Sequence, residues 1–338
     1  MRALPTGKLD FDLLRRMLEM FSGPPDPRVV VGPKIGEDAT VIEMADRYLV
    51  AKTDPITFAT EEIGWYLVCV NANDIATMGA RPKWLLCTLL LPEGRTDEAL
   101  VEGIFSQIRS ACDRFGISLV GGHTEVTYGL DRPIVVGHML GEVDKGRLIT
   151  SSGARPGHKL LLVKWAAIEG TSIIARELAD KLREAGVDEK TIERAKGFLY
   201  DPGISVVEEA LLCCEAGRPS AMHDPTEGGV ATGIHELAEA SEVGVRVKAQ
   251  RIPLLPETER FCSLLGIDPL GLIASGSLLV AAPPHEARKI RQVFDEKGIP
   301  CSEIGEFTPN PKERTLLLRD GREVPLPLYP QDELTKIL

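Results

Sequence analysis

The sequence predicts a protein of mixed α/β structure with two domains, and three observations support this expectation. A chain of 338 residues, 43% of them apolar, is longer than one core requires and fits two domains of ordinary size. Strand-like and helix-like patterns alternate along the chain, which is typical of mixed α/β folds. Residues 151–157 are polar and rich in chain-breaking residues, which favours a linker. We therefore expect an N-terminal domain at 1–152 and a C-terminal domain at 153–338.

Hydrophobic periodicity and terminal residues predict the elements of the N-terminal domain. Two helices are expected at 12–21 and 61–78, and Gly79 would form the C-terminal cap of the second. A third helix is expected at 97–115, where Thr96 would cap the first turn and Gly116 would end the helix. Strands are expected at 29–31, 48–52, 84–91, 117–120 and 134–143.

The same signals continue through the C-terminal domain. Strands are expected at 159–164 and 278–282, and helices at 172–185, 204–216, 229–240 and 285–297. Asp320 and Gly321 form a dipeptide that is typical of a tight hairpin turn. We therefore expect a hairpin near the end of the chain.

The composition excludes several classes of function. The chain has 50 acidic and 39 basic residues, a net charge of -11. An acidic protein repels phosphate backbones, so we expect no binding to nucleic acid. The apolar run at 84–91 is too short to span a bilayer and fits a buried strand. No cysteine pair has the C-x-x-C spacing of a structural zinc site. We therefore expect a cytoplasmic protein that has no membrane segment.

Asp74 is the most informative carboxylate, because its neighbours on the helix are apolar. With about 100° of rotation per residue, Asp74 lies within about 20° of Ile63 on the predicted helix. Leu67 and Val70 belong to the same apolar stripe. Since burying an unpaired carboxylate costs several kcal/mol, Asp74 needs a cation, strong hydrogen bonds or a cleft. A hydrogen bond at the end of the helix is the structural alternative, and a metal or substrate role is the functional one.

Asp38 and Asp54 stand in similar settings, each where a loop and a strand meet. Either residue alone would more often belong to a turn or a cap. Together with Asp74, they place three carboxylates within residues 38–74. Hard divalent cations bind several carboxylate oxygens and leave positions for water or phosphate. The grouping therefore favours a divalent metal site.

Two glycine-rich segments could bind an anion. Gly121 and Gly122 follow an apolar strand, and paired glycines let exposed backbone N–H groups approach a phosphate, although a simple turn is the alternative. Thr226 could cap the helix at 229–240, and Gly228 would leave its N-terminus open for phosphate. The alternative there is a capped helix start with no ligand. Neither a Walker loop nor a G-x-G-x-x-G fingerprint occurs.

Three segments resemble the motifs of one family. Residues 36–41, Gly-Glu-Asp-Ala-Thr-Val, resemble its G-D-D-A-A-V segment. Residues 73–82, Asn-Asp-Ile-Ala-Thr-Met-Gly-Ala-Arg-Pro, resemble its N-D-[IL]-A-x-M-G-A-x-P segment, and residues 224–229 resemble its D-x-T-x-G-G motif. Over nearly its whole length the chain thus resembles the aminoimidazole ribonucleotide synthetase-like (PurM-like) superfamily. Within it, the resemblance is greatest to the hydrogenase maturation protein HypE.

This resemblance implies a fold and a set of cofactors. The N-terminal α/β domain would pair with its twin into a dimeric β-barrel core, and an α+β domain would follow. ATP and Mg²⁺ would be the cofactors, because members activate an oxygen or sulfur centre by phosphoryl transfer. The implied metal ligands are Asp38, Asp54, Asp74 and Asp224. The implied nucleotide-binding residues are Gly36, Asp38, Asn73, Gly121, Gly122, Thr124, Thr226 and Gly228.

The sequence departs from the HypE pattern in three places. HypE ends in a cysteine that carries the group being dehydrated, whereas this sequence ends in Ile337 and Leu338. HypE reads G-D-T-K where residues 122–125 read Gly-His-Thr-Glu, and Glu-Gly where residues 275–276 read Ser-Gly. The departures spare the ATP motifs and affect the dehydration chemistry. We therefore expect ATP use to be retained and the HypE reaction to be absent or altered.

These inferences lead to one hypothesis and two alternatives. We expect a homodimeric, magnesium-dependent, ATP-using enzyme that activates or phosphorylates a small-molecule or protein-borne acceptor. His123, Glu125 and His223 are the candidate catalytic residues that would face this acceptor, although isolated histidines are more often surface residues. The alternatives are a HypE-type factor that dehydrates a partner-derived carbamoyl group, and a nucleotide-binding regulator without turnover.

Overall fold

The chain forms two compact units, each with one mixed β-sheet. The structure is a computed structural model and describes residues 9, 11–23, 26–34, 36–57 and 61–338. The N-terminal unit comprises the described residues of 26–32 and 38–148. The C-terminal unit comprises the described residues of 9–23, 33–37 and 149–338. The predicted mixed α/β architecture is confirmed.

The N-terminal unit is a sheet with a helical layer on it. In the part of the chain that is described, its elements are β1 (Val29–Val31), β2 (Thr40–Met44), β3 (Arg47–Ile56), α2 (Ile63–Thr77), β4 (Arg81–Pro92), α3 (Glu98–Phe115), β5 (Ser118–Thr127) and β6 (Ile134–Asp144); α1 (Phe11–Phe21) precedes them and belongs to the other unit. The strand order is β1-β2-β3-β6-β4-β5. Only the β4–β5 pair in this order is parallel.

Helix α2 is buried on all of its faces between the sheet and α3. Glycines allow this close packing: a Cβ at Gly137 of β6 would lie 2.4 Å from Asn71 Nδ2, and a Cβ at Gly64 would lie 2.6 Å from the carbonyl oxygen of Ile104 in α3. Fourteen residues of α2 are buried, and they include Asn71, Asn73 and Asp74. The predicted apolar stripe of this helix is buried, and the rest of α2 faces protein as well.

The ends of the helices follow simple rules of capping. Asp97 accepts a hydrogen bond from the Leu100 backbone N–H at 2.9 Å, so Asp97 caps α3 and the expected cap at Thr96 was wrong. The Thr96 hydroxyl instead donates to the Pro92 carbonyl at 2.8 Å. Gly79 and Gly116 follow α2 and α3 with φ of 71° and 67°, as expected of C-terminal caps.

The C-terminal unit has a second mixed sheet and most of the helices. Its further elements among the described residues are β7 (Lys159–Val163), α4 (Ile168–Glu177), α5 (Ala179–Glu184), α6 (Glu189–Lys196), α7 (Val207–Ala216), β8 (Ala221–His223), α8 (Gly229–Ala240), β9 (Gly244–Lys248), α9 (Pro256–Leu265), β10 (Leu278–Ala282), α10 (Pro284–Glu296), β11 (Cys301–Thr308), β12 (Arg314–Leu317) and β13 (Glu323–Pro325). The strand order is β13-β12-β9-β11-β7-β10-β8. The β9–β12 pair is parallel and the other neighbours are antiparallel.

One cluster of buried apolar side chains in this unit lies between α8 and the sheet. Leu160, Leu279 and Ile234 belong to this cluster. The predicted elements α8, β10 and the β12–β13 hairpin at Asp320 and Gly321 are confirmed. The single helix expected at 172–185 is two helices, α4 and α5, which meet at Leu178.

Within the described residues, no helix has the length and apolarity needed to cross a membrane.

Candidate functional site

Two of the predicted metal ligands, Asp54 and Asp74, hold one ammonium group between them. Lys52 and Asp54 lie two residues apart on β3, so their side chains leave the same face of the strand. Lys52 Nζ lies 3.2 Å from Asp74 Oδ1 and 3.4 Å from Asp54 Oδ2. The Asp74 side chain is only 8% exposed, whereas that of Asp54 is 33% exposed. The sequence predicted both carboxylates but not the lysine that joins them.

Asn71 fixes the backbone of Asp54. The Asp54 N–H donates to Asn71 Oδ1 at 2.9 Å, and Asn71 Nδ2 lies 3.3 Å from the Asp54 carbonyl oxygen. Asn71 and Asp74 are three residues apart on α2, which places both on the same side of the helix. The helix therefore positions one carboxylate itself and aligns the strand that carries the other. Asn73, a predicted nucleotide-binding residue, is fully buried in the same turn.

Asp38 is connected to the end of α2 through Thr77. The Thr77 hydroxyl lies 2.9 Å from Asp38 Oδ2 and 2.9 Å from the Asp74 carbonyl oxygen. Asp38 is buried, with 5% of its surface exposed. Asp38 is thus tied to the C-terminal end of α2, the helix that carries Asp74.

The glycine pair lies inside a strand instead of following one. β5 continues through residues 118–127, so Gly121 and Gly122 pair with β4, and their expected placement in a loop was wrong. A Cβ at Gly122 would lie 2.0 Å from the Cys87 carbonyl oxygen, so the close approach of β4 explains this glycine. The register shifts between Leu85 and Leu86 of β4, which leaves one extra residue in β5.

His123, Thr124 and Glu125 all lie on β5, which is exposed along nearly its whole length. His123 Nε2 lies 3.1 Å from Glu125 Oε2, and their side chains are 66% and 48% exposed. The two side chains share one face of the strand because they are two residues apart. Both candidate catalytic groups are therefore accessible at the edge of the sheet.

In the C-terminal unit, Asp224 and His223 follow one another at the end of β8. Both residues are buried. His223 Nε2 lies 3.0 Å from Glu236 Oε2 of α8, and both of these side chains are less than 10% exposed. No sequence motif marked Glu236 as the partner of His223, because it lies 13 residues further along the chain. The imidazole of His223 is therefore oriented by a carboxylate, as it is in many catalytic and metal-binding histidines.

The N-terminus of α8 is covered by a carboxylate of the same chain. Gly228, with φ of 79°, caps this helix, and its N–H donates to Asp332 Oδ2 at 2.8 Å. The expectation that Thr226 caps α8 was therefore wrong, and the Gly228 N–H has a partner within the same chain. Gly36 packs against the same helix: a Cβ there would lie 2.9 Å from the Glu236 carbonyl oxygen. Thr226 contributes its carbonyl oxygen, which accepts from Gly229 and Ala274.

Two buried carboxyl groups near this helix have raised pKa values. Burial raises the pKa of Glu169 to about 7, although its carboxylate accepts from the Ser275 N–H at 3.1 Å. Burial likewise raises the pKa of Asp332 to about 6, and the nearby Glu227 contributes to this shift. Each of these carboxyl groups therefore favours its protonated form more than an exposed carboxyl group does.

Two family models and several relatives match most of this chain. The model of the AIR synthase related protein, N-terminal domain, matches residues 36–143, and the model of the C-terminal domain matches residues 155–317. A hydrogenase expression/formation protein of Methanocaldococcus jannaschii is 28% identical over 79% of this chain and 77% of its own length. The carbamoyl dehydratase HypE of Cupriavidus necator is 30% identical over 76% of this chain and 74% of its own length.

Solved structures show the same fold. AaThiL complexed with AMPPCP and TMP has a TM-score of 0.73 at 21% identity, and the match covers 97% of this chain and 98% of AaThiL. The hydrogenase maturation protein HypE in complex with ATP has a TM-score of 0.71 at 22% identity, and the match covers 97% of each chain. The two family models and the relatives thus define an enzyme with an N-terminal and a C-terminal AIR synthase related domain. The chain belongs to the AIR synthase related family, within the PurM-like superfamily.

Proposed function

We propose that this chain is a magnesium-dependent, ATP-using enzyme that activates or phosphorylates a small-molecule or protein-borne acceptor. The observation that carries the proposal is that Asp54 and Asp74 converge on the ammonium of Lys52. Its Nζ lies 3.4 Å from the Asp54 carboxylate and 3.2 Å from the Asp74 carboxylate. Two carboxylates that converge on one positive charge form a place suited to a cation. The ATP complex of a HypE and the AMPPCP complex of AaThiL, which share this fold, support a nucleotide as the ligand.

The donor set in the N-terminal unit fits magnesium in its chemistry. Asp38, Asp54 and Asp74 offer carboxylate oxygens, which are the ligands that this hard cation prefers, and Asp54 remains partly exposed. We propose that these three residues hold the metal. Asp224 of the C-terminal unit remains a proposed metal ligand on its motif alone. When bound, magnesium would neutralise phosphate charge and orient the phosphates.

The remaining residues bind, orient and move protons. Asn71 and Thr77 keep Asp54 and Asp38 in place through the hydrogen bonds described above. Gly36, Asn73, Gly121, Gly122, Thr124, Thr226 and Gly228 remain proposed nucleotide-binding residues. His123 with Glu125, and His223 with Glu236, are two histidine–carboxylate pairs that could take a proton from an acceptor.

We also propose that the protein is a homodimer that pairs through β5. This strand is at the end of its sheet, and its residues are exposed nearly without interruption. Leu119, Val120 and Val126 are apolar and between 41% and 57% exposed. A long apolar edge strand invites pairing with another chain, because its N–H and C=O groups on one side have no strand beside them among the described residues.

The metal site is tested by Asp74→Asn. We expect this variant to bind Mg-ATP at least about tenfold more weakly, the scale on which residues supporting a metal change its affinity. Calorimetric titration with a non-hydrolysable ATP analogue and magnesium measures the change. Asp113→Asn is the matched control, because Asp113 pairs with Arg109 on the exposed side of α3. Equal affinity in Asp74→Asn, Asp113→Asn and the parent protein would reject the assignment.

A second function deserves a direct test, because relatives that cover most of this chain are named carbamoyl dehydratase HypE. A carbamoylated thiol on a partner protein would lose one water with ATP present, which mass spectrometry detects. ADP or phosphate release that accelerates with a small acceptor favours the phosphoryl-transfer reading. Tight nucleotide binding with no turnover under any of these conditions favours a regulator and contradicts both enzyme readings.

A further inference from the structure

Lys52 is placed where a metal ion would be expected. Its ammonium lies within 3.4 Å of Asp54 and Asp74, which are two of the three carboxylates proposed to hold magnesium. The side chain of Lys52 is 21% exposed, so most of it is covered by protein. No motif of the sequence marked this lysine as part of the site.

The charges explain why a lysine here affects a metal. Asp74 is nearly buried, and a second carboxylate beside it would raise the free energy of both ionised groups without a cation between them. Lys52 supplies this cation. Because it belongs to the same chain, its ammonium stays beside the carboxylates whatever the metal concentration. A divalent ion that binds to the same oxygens has to displace the ammonium. If the lysine did not move, the divalent ion and the ammonium together would place three positive charges beside two carboxylates.

We propose that Lys52 is a built-in counter-cation that holds Asp54 and Asp74 in the metal-free protein and is displaced by the metal. The inference rests on the proposed function, because it assigns the metal to the same carboxylates. Lys52 thereby keeps the carboxylates close together and weakens metal binding in the absence of nucleotide. It is a positioning residue that sets metal affinity.

Metal titration without nucleotide tests this role. Mn²⁺, whose free fraction is measured by electron paramagnetic resonance, is the probe, and Lys52→Gln is the variant. Removing the competing ammonium should tighten Mn²⁺ binding about tenfold, the factor that corresponds to 1.4 kcal/mol. Lys52→Arg keeps the charge and should bind Mn²⁺ like the parent protein. Lys83→Gln is the matched control, because Lys83 pairs with Glu142 elsewhere on the same sheet.

The outcomes separate the inference from the proposed function. Equal or weaker Mn²⁺ binding in Lys52→Gln, or an equal gain in Lys83→Gln, overturns the role of Lys52 and leaves the metal site standing. Absence of Mn²⁺ binding in the parent protein and in Lys52→Gln overturns the metal site itself.

A second measurement uses the parent protein and does not depend on how the variant folds. Acetylation of lysine amines, followed by mass spectrometry, should modify Lys52 several-fold faster with saturating Mg²⁺ than without it. The rate at Lys83 should not change with Mg²⁺. A rate at Lys52 that is unchanged or slower with the metal contradicts displacement.

Discussion

Glu169 is a buried carboxyl group in the first turn of α4, and its ionisation opposes folding. Burial raises its pKa to about 7, and Asp332 and Glu227 raise it further through their charge. A raised pKa means that the folded state holds the proton more tightly than the unfolded state, whose pKa is near 4.5. The contribution of the protonated Glu169 to the free energy of unfolding is therefore lost as the pH rises from about 4.5 to about 7.

Glu169→Gln should remove this dependence. Glutamine can still accept the Ser275 N–H bond, but it carries no charge at any pH. We expect the variant to be more stable than the parent protein by on the order of 1 to 3 kcal/mol at pH 8, because one pKa unit corresponds to about 1.4 kcal/mol. The difference should shrink towards zero below about pH 4.5. Urea denaturation between pH 4 and pH 8 measures it, and a difference that is constant with pH would contradict the prediction.

At the level of single residues, the sequence predicted the charges that need partners but not the partners themselves. Asp74 was identified because an ionised group among apolar neighbours must be compensated. Its partner Lys52 is 22 residues away, and the Asp332 carboxylate that reaches Gly228 is 104 residues away. Distances along the chain do not report which side chains meet, since the fold decides this. The carboxylates were therefore predictable, whereas the way in which they are neutralised was not.

Among the helices and strands, those that the sequence located have one solvent-exposed face or end at chain-breaking residues. α8 and β10 were located because they lie between breakers, and α3 because its apolar stripe repeats every three to four residues. The burial of α2 on every face was not predictable from the position of one apolar stripe. Short elements such as β8, with three residues, contain too few positions to show a period, so tertiary packing determines them.

The contact between α2 and β6 should depend on the absence of a side chain at Gly137. A Cβ there would lie 2.4 Å from Asn71 Nδ2, so Gly137→Ala must displace the amide that aligns Asp54. We expect a loss of roughly 1 to 3 kcal/mol of stability from this overpacking, measured by urea denaturation. The same variant should weaken Mn²⁺ binding if Asp54 is a ligand.

A matched control is available in α3. Nothing lies within 4 Å of a Cβ at Gly103, so Gly103→Ala should keep or raise stability by up to about 1 kcal/mol through its higher helix propensity. If Gly137→Ala is as stable as Gly103→Ala, the α2–β6 contact is more adaptable than the structure indicates.

At the scale of the whole molecule, the exposed edge strand β5 belongs to a protein with a net charge of -11. Repulsion between like-charged copies opposes association, so a homodimer needs favourable local contacts to form. β5 offers them through paired backbone groups and the exposed side chains of Leu119, Val120 and Val126. The same strand carries His123 and Glu125, so pairing there would also change the surroundings of the candidate catalytic groups.

Val120→Lys should therefore separate the proposed dimer into monomers. Val120 is 53% exposed on β5, and a lysine on an edge strand opposes pairing because its charge would be buried at the contact. Sedimentation velocity at micromolar concentration should show a dimer for the parent protein and at least about a tenfold weaker association for the variant, since burying an unpaired charge costs several kcal/mol. Leu264→Lys is the control, because Leu264 is an exposed apolar residue of α9 in the other unit. A parent protein that sediments as a monomer contradicts the homodimer, whereas a variant that remains a dimer moves the interface away from β5.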